Sequence, residues 1–300
     1  MIDIGITGGE TIVAGELVRV LINHPDASIK WIAGQRQGLS VAHVHKGLLG
    51  ECDLRLTEPD ASTVDVVFNC DSHDSEWCEA QCAAKPQLRV IDLSRTISSS
   101  EGAMMYGLCE INRKFMVHDC YGVVRMPRPE AMLSLLSLIP LAVDHNLEGD
   151  IEIEMSYGTM TPGDDVPKLI DEITNVLRVL QPGFAGKVSM KRGAADPTHR
   201  GIASLVTLPC SIDVDALKER YEDYYNDHNF TFITDMHVDI ADVANTNKCL
   251  LELSSDNGCL RVKAVADSLL KGSAGNAVHV MNLLFGLHER AGLALKAQVY

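Results

Sequence analysis

The first fifteen residues constrain this chain more than any other stretch. An apolar strand, Ile2 to Thr7, runs straight into Gly8-Gly9 and then into a helix with apolar positions at Val13, Leu17, Val20 and Leu21, closed by Pro25. The same alternation recurs. Ile29 to Ala33, Val64 to Asn69, Leu88 to Leu93 and Tyr121 to Val124 read as strands, and a helix through Trp77 to Ala84 separates the third from the fourth. The unbroken apolar run Val64 to Asn69 is that of a strand covered on both faces. Strands and helices alternating across short turns predict an α/β, Rossmann-type doubly wound parallel sheet.

Beyond residue 125 the pattern changes. A mostly apolar helix, Ala131 to Ala142, is followed by strands at 151–157, 187–190, 202–210, 231–233, 248–253 and 260–265. Helices are predicted at 166–180 and, after Asp213 as cap, at 214–225. Mostly strands with a few helices predict an α+β domain with a mostly antiparallel or mixed sheet. The expected domains are therefore 1–125 and 126–274, with the final helical segment 275–300 packing back on the first. With 46% hydrophobic and 22% charged residues, 300 residues suffice for two globular domains.

The net charge of −15 argues against nucleic acid and anionic membrane as partners. No apolar run is long enough to span a membrane, and no signal peptide is read at the N-terminus, so the expectation is a cytoplasmic protein. Nine cysteines without tight pairs read as reduced thiols. His73, His118, His145 and His199 lack metal-ligand spacing, so no metal site is expected.

The turn Arg125-Met126-Pro127-Arg128-Pro129-Glu130, between a strand and a helix, is where an α/β enzyme often places a nucleophile or an anion site. Pro129 suits the first helical position and Glu130 the positive end of the helix dipole. The turn contains no Ser, Cys, His or Lys. Arg125 and Arg128 could dock a small carboxylate or phosphate there, or pair with the chain's many acidic residues.

Several motifs together resemble one family. Gly8-Gly9 with Ala14-Gly15-Glu16-Leu17, Asn23-His24-Pro25-Asp26, Ile91-Asp92-Leu93-Ser94 and Tyr106-Gly107-Leu108 with Glu110-Ile111-Asn112-Arg113 are similar to N-acetyl-γ-glutamyl-phosphate reductases. So are Arg200-Gly201-Ile202, Asn245-Thr246-Asn247-Lys248-Cys249, the run Leu270 to Val278 and Met281-Asn282-Leu283. The resemblance implies an NADPH-binding Rossmann domain joined to a catalytic and oligomerisation domain. The implied reaction makes a semialdehyde from an acyl phosphate through a cysteine thioester and hydride transfer, in arginine biosynthesis.

Carried over position by position, the resemblance meets departures. The family's Asn-Pro-Gly-Cys turn falls on Met126-Pro127-Arg128-Pro129, so Pro129 stands at the nucleophile. Cys120 lies nine residues earlier, some ~25–30 Å of extended chain away. Asp165 falls where the acid/base histidine would lie, and either Asp164 or Asp165 reads as a helix cap. The substrate loop is shortened to Gly158-Thr159-Met160-Thr161-Pro162.

The implied cofactor positions are Gly8, Gly9, Thr11, Arg36, Ser72, Gly275 and Asn276. Thr11 replaces the second glycine of the phosphate loop, and Glu10 adds a negative charge beside it. Arg36 follows the second strand, where a 2′-phosphate of NADP could be read. Each has a plain structural alternative: a tight turn at Gly8-Gly9, a solvated charge at Arg36 and a packed helix opening at Gly275. The departures imply a diverged member without the thioester chemistry, acting as a ligand-binding, regulatory or scaffolding protein. It would be a homo-oligomer, dimer or tetramer, or mix with an active paralogue. The alternative is an active NADP-dependent oxidoreductase, running either the family reaction or a changed hydride transfer.

Overall fold

A computed structural model describes residues 1–96, 104–118, 122–159 and 165–297. The chain divides into two compact units, Met1–Pro127 with Ser273–Ala294, and Arg128–Gly272 with the residues from Leu295 on.

In the first unit the strands are β1 (Ile2–Thr7), β2 (Ala27–Ala33), β3 (Leu56–Thr57), β4 (Val66–Asn69), β5 (Arg89–Asp92), β6 (Met104–Tyr106) and β7 (Gly122–Arg125). They form one sheet in the order β3-β2-β1-β4-β5-β7-β6, every pairing parallel. The order reverses between β1 and β4, which is the switch point of a doubly wound fold. The helices are α1 (Ile12–Leu21), α2 (Val41–Val44), α3 (Ser75–Ala84), α4 (Cys109–His118) and α8 (Gly275–Leu284). On one face Val67, Val90 and Val123 pack with Cys78 of α3 around Trp31. Trp31 lies across Gly5, where a Cβ would stand 2.1 Å from the indole, so only glycine admits it.

Helix α8 is buried along its whole length and packs on α1, α4 and β5. Beyond it, Glu289 accepts from the His279 Nε2 at 2.8 Å and pairs with Arg113. Burial pushes the Glu289 carboxyl up, but His279 and Arg113 outweigh it and hold it at about 2, below the usual 4.5. A carboxylate lowered on folding stabilises fully above its unfolded value and loses that contribution as pH falls through its folded one. Urea midpoints are therefore expected to fall from about pH 4.5 down towards pH 2. Glu289→Gln should flatten that decline in parallel titrations; an unchanged slope would show that other carboxylates carry it.

The second unit holds β8 (Ile151–Tyr157), β9 (Val188–Arg192), β10 (Ile202–Pro209), β11 (Thr231–Ile233), β12 (Cys249–Asp256) and β13 (Cys259–Ala266). Their order is β11-β12-β13-β10-β8-β9, antiparallel in the middle and parallel at both ends. Helices α5 (Pro129–Val143), α6 (Val166–Leu180) and α7 (Val214–Tyr225) accompany it. Thirteen of the fifteen residues of α5 are buried, as its almost unbroken apolar sequence demands. Pro140 inside α5 has no N–H for the carbonyl four residues back. That carbonyl, on Leu136, accepts the Tyr225 hydroxyl at 2.6 Å instead, and Tyr221 donates to Ser137 O at 2.6 Å. One aromatic side chain of α7, Tyr225, thus replaces the bond that the proline removes, and Tyr221 adds a second tie to the neighbouring carbonyl.

Strands β3 and β6 and helices α2 and α4 are not predicted by the sequence pattern; β7 is described over Gly122–Arg125, one residue beyond the expected end at Val124, and Tyr121, its expected start, lies outside the described residues. Cys120, Asp164 and Met160 to Gly163 also fall outside them.

Candidate functional site

The carboxyl ends of β1, β2 and β4 frame a crevice of about 470 Å³, lined among others by Gly8, Glu10, Gly34, Arg36, Glu58 and Asp74. Crevices at this switch point are where open α/β sheets take ligands. Gly8 has φ +63°, and a Cβ there would meet Asp71 at 2.7 Å; at Gly9 it would meet Ile32 and Leu56 side chains at 2.6 and 2.7 Å. Both glycines are required by the close approach of their neighbours. Thr11 is the N-cap of α1, its Oγ1 accepting from Ala14 N–H at 3.2 Å.

The crevice's donors already have acidic partners. Gly8 N–H donates to Asp74 Oδ2 at 3.0 Å. Gln35 and Arg36 N–H donate to the two carboxylate oxygens of Glu10 at 3.3 and 3.0 Å. The Arg36 guanidinium lies 3.6 Å from that same carboxylate, and Gln37 binds Glu58. Burial and the charge of Asp71 push the Asp74 carboxyl up. Ser72 is exposed, and beside it His73 bonds Asp71 at 2.8 Å, which raises the imidazole.

Behind the crevice lies a polar cluster that sequence reasoning missed. Thr7 Oγ1 donates to Asn69 Oδ1 at 2.8 Å, and Asn69 Nδ2 donates to Ser75, Asp92 and Ser94, each at 3.1 Å. Thr7, Asn69 and Asp92 are fully buried at strand ends. A polar residue closing each of three apolar strands was the available signal.

At the strand-to-helix turn, Arg125 donates to Arg95 O at 2.8 Å, and Arg95, with φ +62°, donates to Pro127 O at 3.2 Å. In the second unit Arg128 is the N-cap of α5, with Pro129 at the first helical position. Glu172 of α6 takes both Arg128 donors, the backbone N–H at 3.1 Å and Nη1 at 2.8 Å. A carboxylate of the chain therefore sits where an external anion would dock on this helix end. The Pro129 ring lies against Gly272, where an added Cβ would be 2.9 Å from the proline Cβ.

Asp165 is the N-cap of α6 by position, but its carboxylate makes no capping bond. It lies 3.4 Å from Lys168 in an exposed pair, so of the two residues expected as cap Asp165 does not supply the side-chain bond, and Asp164 lies outside the described residues. Gly275 opens α8 after a π-turn, Leu270–Ala274. The Asn276 amide is consumed internally, donating to Gly107 O at 3.0 Å and accepting from Cys109 at 3.9 Å. Among the described residues no group of three or more His, Cys, Asp or Glu could hold a metal ion.

Family models match over both units: semialdehyde dehydrogenase, NAD binding domain, over residues 3–118, and semialdehyde dehydrogenase, dimerisation domain, over residues 170–267. The chain is 35% identical to N-acetyl-gamma-glutamyl-phosphate reductase of Parabacteroides distasonis over 327 aligned positions, covering 100% of both. It belongs to the N-acetyl-γ-glutamyl-phosphate reductase family. The Phocaeicola vulgatus member is likewise 35% identical, with 100% of both chains covered. The fold is that of aspartate semialdehyde dehydrogenase II of Vibrio cholerae in complex with ASA (TM-score 0.73, 14% identity, 95% of this chain and 98% of that one). The Candida albicans aspartate semialdehyde dehydrogenase with NADP gives TM-score 0.72 at 13% identity, covering 95% and 99%.

Several motifs that carry the family likeness hold the architecture in place. His24 Nε2 and Asn282 Oδ1 are 2.9 Å apart, and Asn282 donates to the carbonyls of Glu289 and Ala291, tying α8 to the end of α1. Gly292 is forced by His24, which a Cβ would meet at 2.4 Å. In the second unit Arg200 grips Asp267 through Nε at 2.7 Å and Nη2 at 2.9 Å. The same carboxylate accepts Asn245, Leu269 and Leu270 N–H at 2.7, 2.9 and 3.0 Å. Family identity in these stretches accordingly follows packing and hydrogen bonding, which persist whatever happens at the reacting positions.

Proposed function

We propose that this chain is a member of its family that does not run the thioester reaction. It would act instead as a ligand-binding, regulatory or scaffolding subunit, in a homo-oligomer or mixed with an active paralogue. The observation that supports the reading is a proline, Pro129, at the first position of α5 with its ring against Gly272, at the turn where the family resemblance puts the nucleophile. An acyl phosphate must be attacked by a lone pair, and a proline ring within the chain has none to give. Where the same resemblance puts the acid/base histidine stands Asp165, paired with Lys168. The test is turnover of the purified protein with the family's acyl phosphate and NADPH or NADH, or in reverse with the semialdehyde, phosphate and NADP or NAD. No consumption of either reduced dinucleotide is expected; sustained consumption of either would sink the reading.

A second reading is supported by the crevice in the family's NAD-binding domain. An oxidoreductase using NADP, for the family reaction or for a changed hydride transfer, could move a hydride to a free carbonyl without a thioester. The absence of any thermal shift with millimolar NAD or NADP would rule this second reading out, since hydride chemistry needs a bound dinucleotide.

A further inference from the structure

We infer that Glu10 sets the nucleotide specificity of the β1–β2 crevice, excluding a 2′-phosphate and leaving the pocket to an adenosine whose ribose hydroxyls are free. The donors a 2′-phosphate would need stand just beyond β2, and Glu10 holds all of them: the Gln35 and Arg36 amides and the Arg36 guanidinium. The carboxylate reaches them by lying over Gly34, where even a methyl group would come within 2.4 Å of Oε2. A glycine at 34 and a glutamate at 10 are thus a matched pair. A phosphomonoester brought to the same donors would face a like charge at contact distance and would have to displace it.

The surroundings add to this. Glu58, bound to Gln37, lines the same side of the crevice, and Arg36, the one arginine among its lining residues, is 59% exposed at its side chain and already ion-paired. The residues present do not fit a phosphorylated ribose. They do fit a ribose diol, because carboxylates accept hydroxyl hydrogens and an acidic residue near the end of β2 is how NAD-selective folds read the 2′-hydroxyl. Here that carboxylate comes from the turn after β1 rather than from β2 itself. The inference concerns binding only and is separate from the thioester question, so either can fail alone.

The experiment is calorimetric titration of the full chain with NAD and with NADP, for wild type, Glu10→Ala and Glu10→Gln. Wild type is expected to prefer NAD by about tenfold or more, the scale of one unit charge at contact distance. Glu10→Ala should shift the NAD:NADP ratio towards NADP by a similar factor, and adding Arg36→Ala should cancel the gain. If the alanine variant fails to fold, Glu10→Gln, which keeps the shape and removes the charge, decides the question. Wild type binding NADP as tightly as NAD, a ratio unmoved by both substitutions, or no binding of either dinucleotide would each overturn the inference.

Discussion

Replacing Asp267 by alanine is expected to cost about 3–5 kcal/mol of stability, the cost of stranding one partner of a buried ion pair. Asp267 is fully buried, and the Arg200 side chain is 18% exposed, so little water reaches the pair. The alanine variant would leave the guanidinium without its counter-charge. It would also strip three backbone amides, those of Asn245, Leu269 and Leu270, of their acceptor. Each stranded amide adds its own desolvation cost, which pushes the total to the upper end of the range. Domains of this size hold about 5–15 kcal/mol in all, so the loss would be about a third of the total or more. Urea unfolding of Asp267→Ala, Asp267→Asn and wild type checks this. Asparagine keeps an acceptor oxygen and should fall between the other two. An alanine variant within about 0.5 kcal/mol of wild type, the range of ordinary surface substitutions, would refute the assignment.

Pro129→Cys is expected to create a reactive thiol without creating turnover. A cysteine at the first position of α5 would feel the positive end of a fifteen-residue helix, which favours the thiolate. Glu172 at the same helix end opposes this, while Arg128 favours it, and the two are bound to each other. Alkylation by iodoacetamide, followed by mass spectrometry, should therefore label residue 129 faster than the wild-type cysteines. Among the described ones, Cys52, Cys70, Cys78, Cys109 and Cys249 are buried. Burial pushes the Cys70 and Cys82 thiols up and Cys78 to about 12. On the proposed reading, reduction of the acyl phosphate should still be missing, because the family resemblance puts Asp165, a carboxylate paired with Lys168, where an imidazole would be needed. Steady NADPH consumption by this variant would mean that position 129 alone withheld the chemistry. A thiol at 129 that resists alkylation would mean that the helix end is closed to reagents.

What could be read from the sequence divides along physical lines. Elements with a strong period or a long apolar run were legible: α6 and α7 have the expected limits, and α8 spans the expected helical stretch Gly275–Leu284. Strand β3 has two residues and β6 three, too short for any alternation to register, and each pairs with a single neighbour. Helix α4 places exposed Phe115 and Val117 beside buried Met116, which blurs its apolar face. The position of the turn at 125–130 was legible because a proline at the start of an apolar helix is a local signal. Its electrostatic content was not. Glu172 lies forty-four residues from Arg128, and Glu10 twenty-five and twenty-six from Gln35 and Arg36. Only the fold brings such pairs together, so the arginines could be placed but their partners could not. At Asp165 the cap position was legible but the bonding was not: its exposed carboxylate lies 3.4 Å from Lys168 and makes no capping bond.

The route of α8 has a consequence for how the protein is made. The first unit is finished by Ser273–Ala294, which leaves the ribosome only after Arg128–Gly272 has been synthesised. Until then α1, α4 and β5 lack the helix that buries their shared surface, and His24 lacks Asn282. Domains ordinarily fold in order of emergence, the N-terminal one first. Here the nascent N-terminal half must wait with an apolar face uncovered, while Arg128–Gly272 can collapse around α5. A fragment ending near residue 127 should accordingly be a poor recombinant product, whereas adding the 273–294 segment in trans should rescue its solubility.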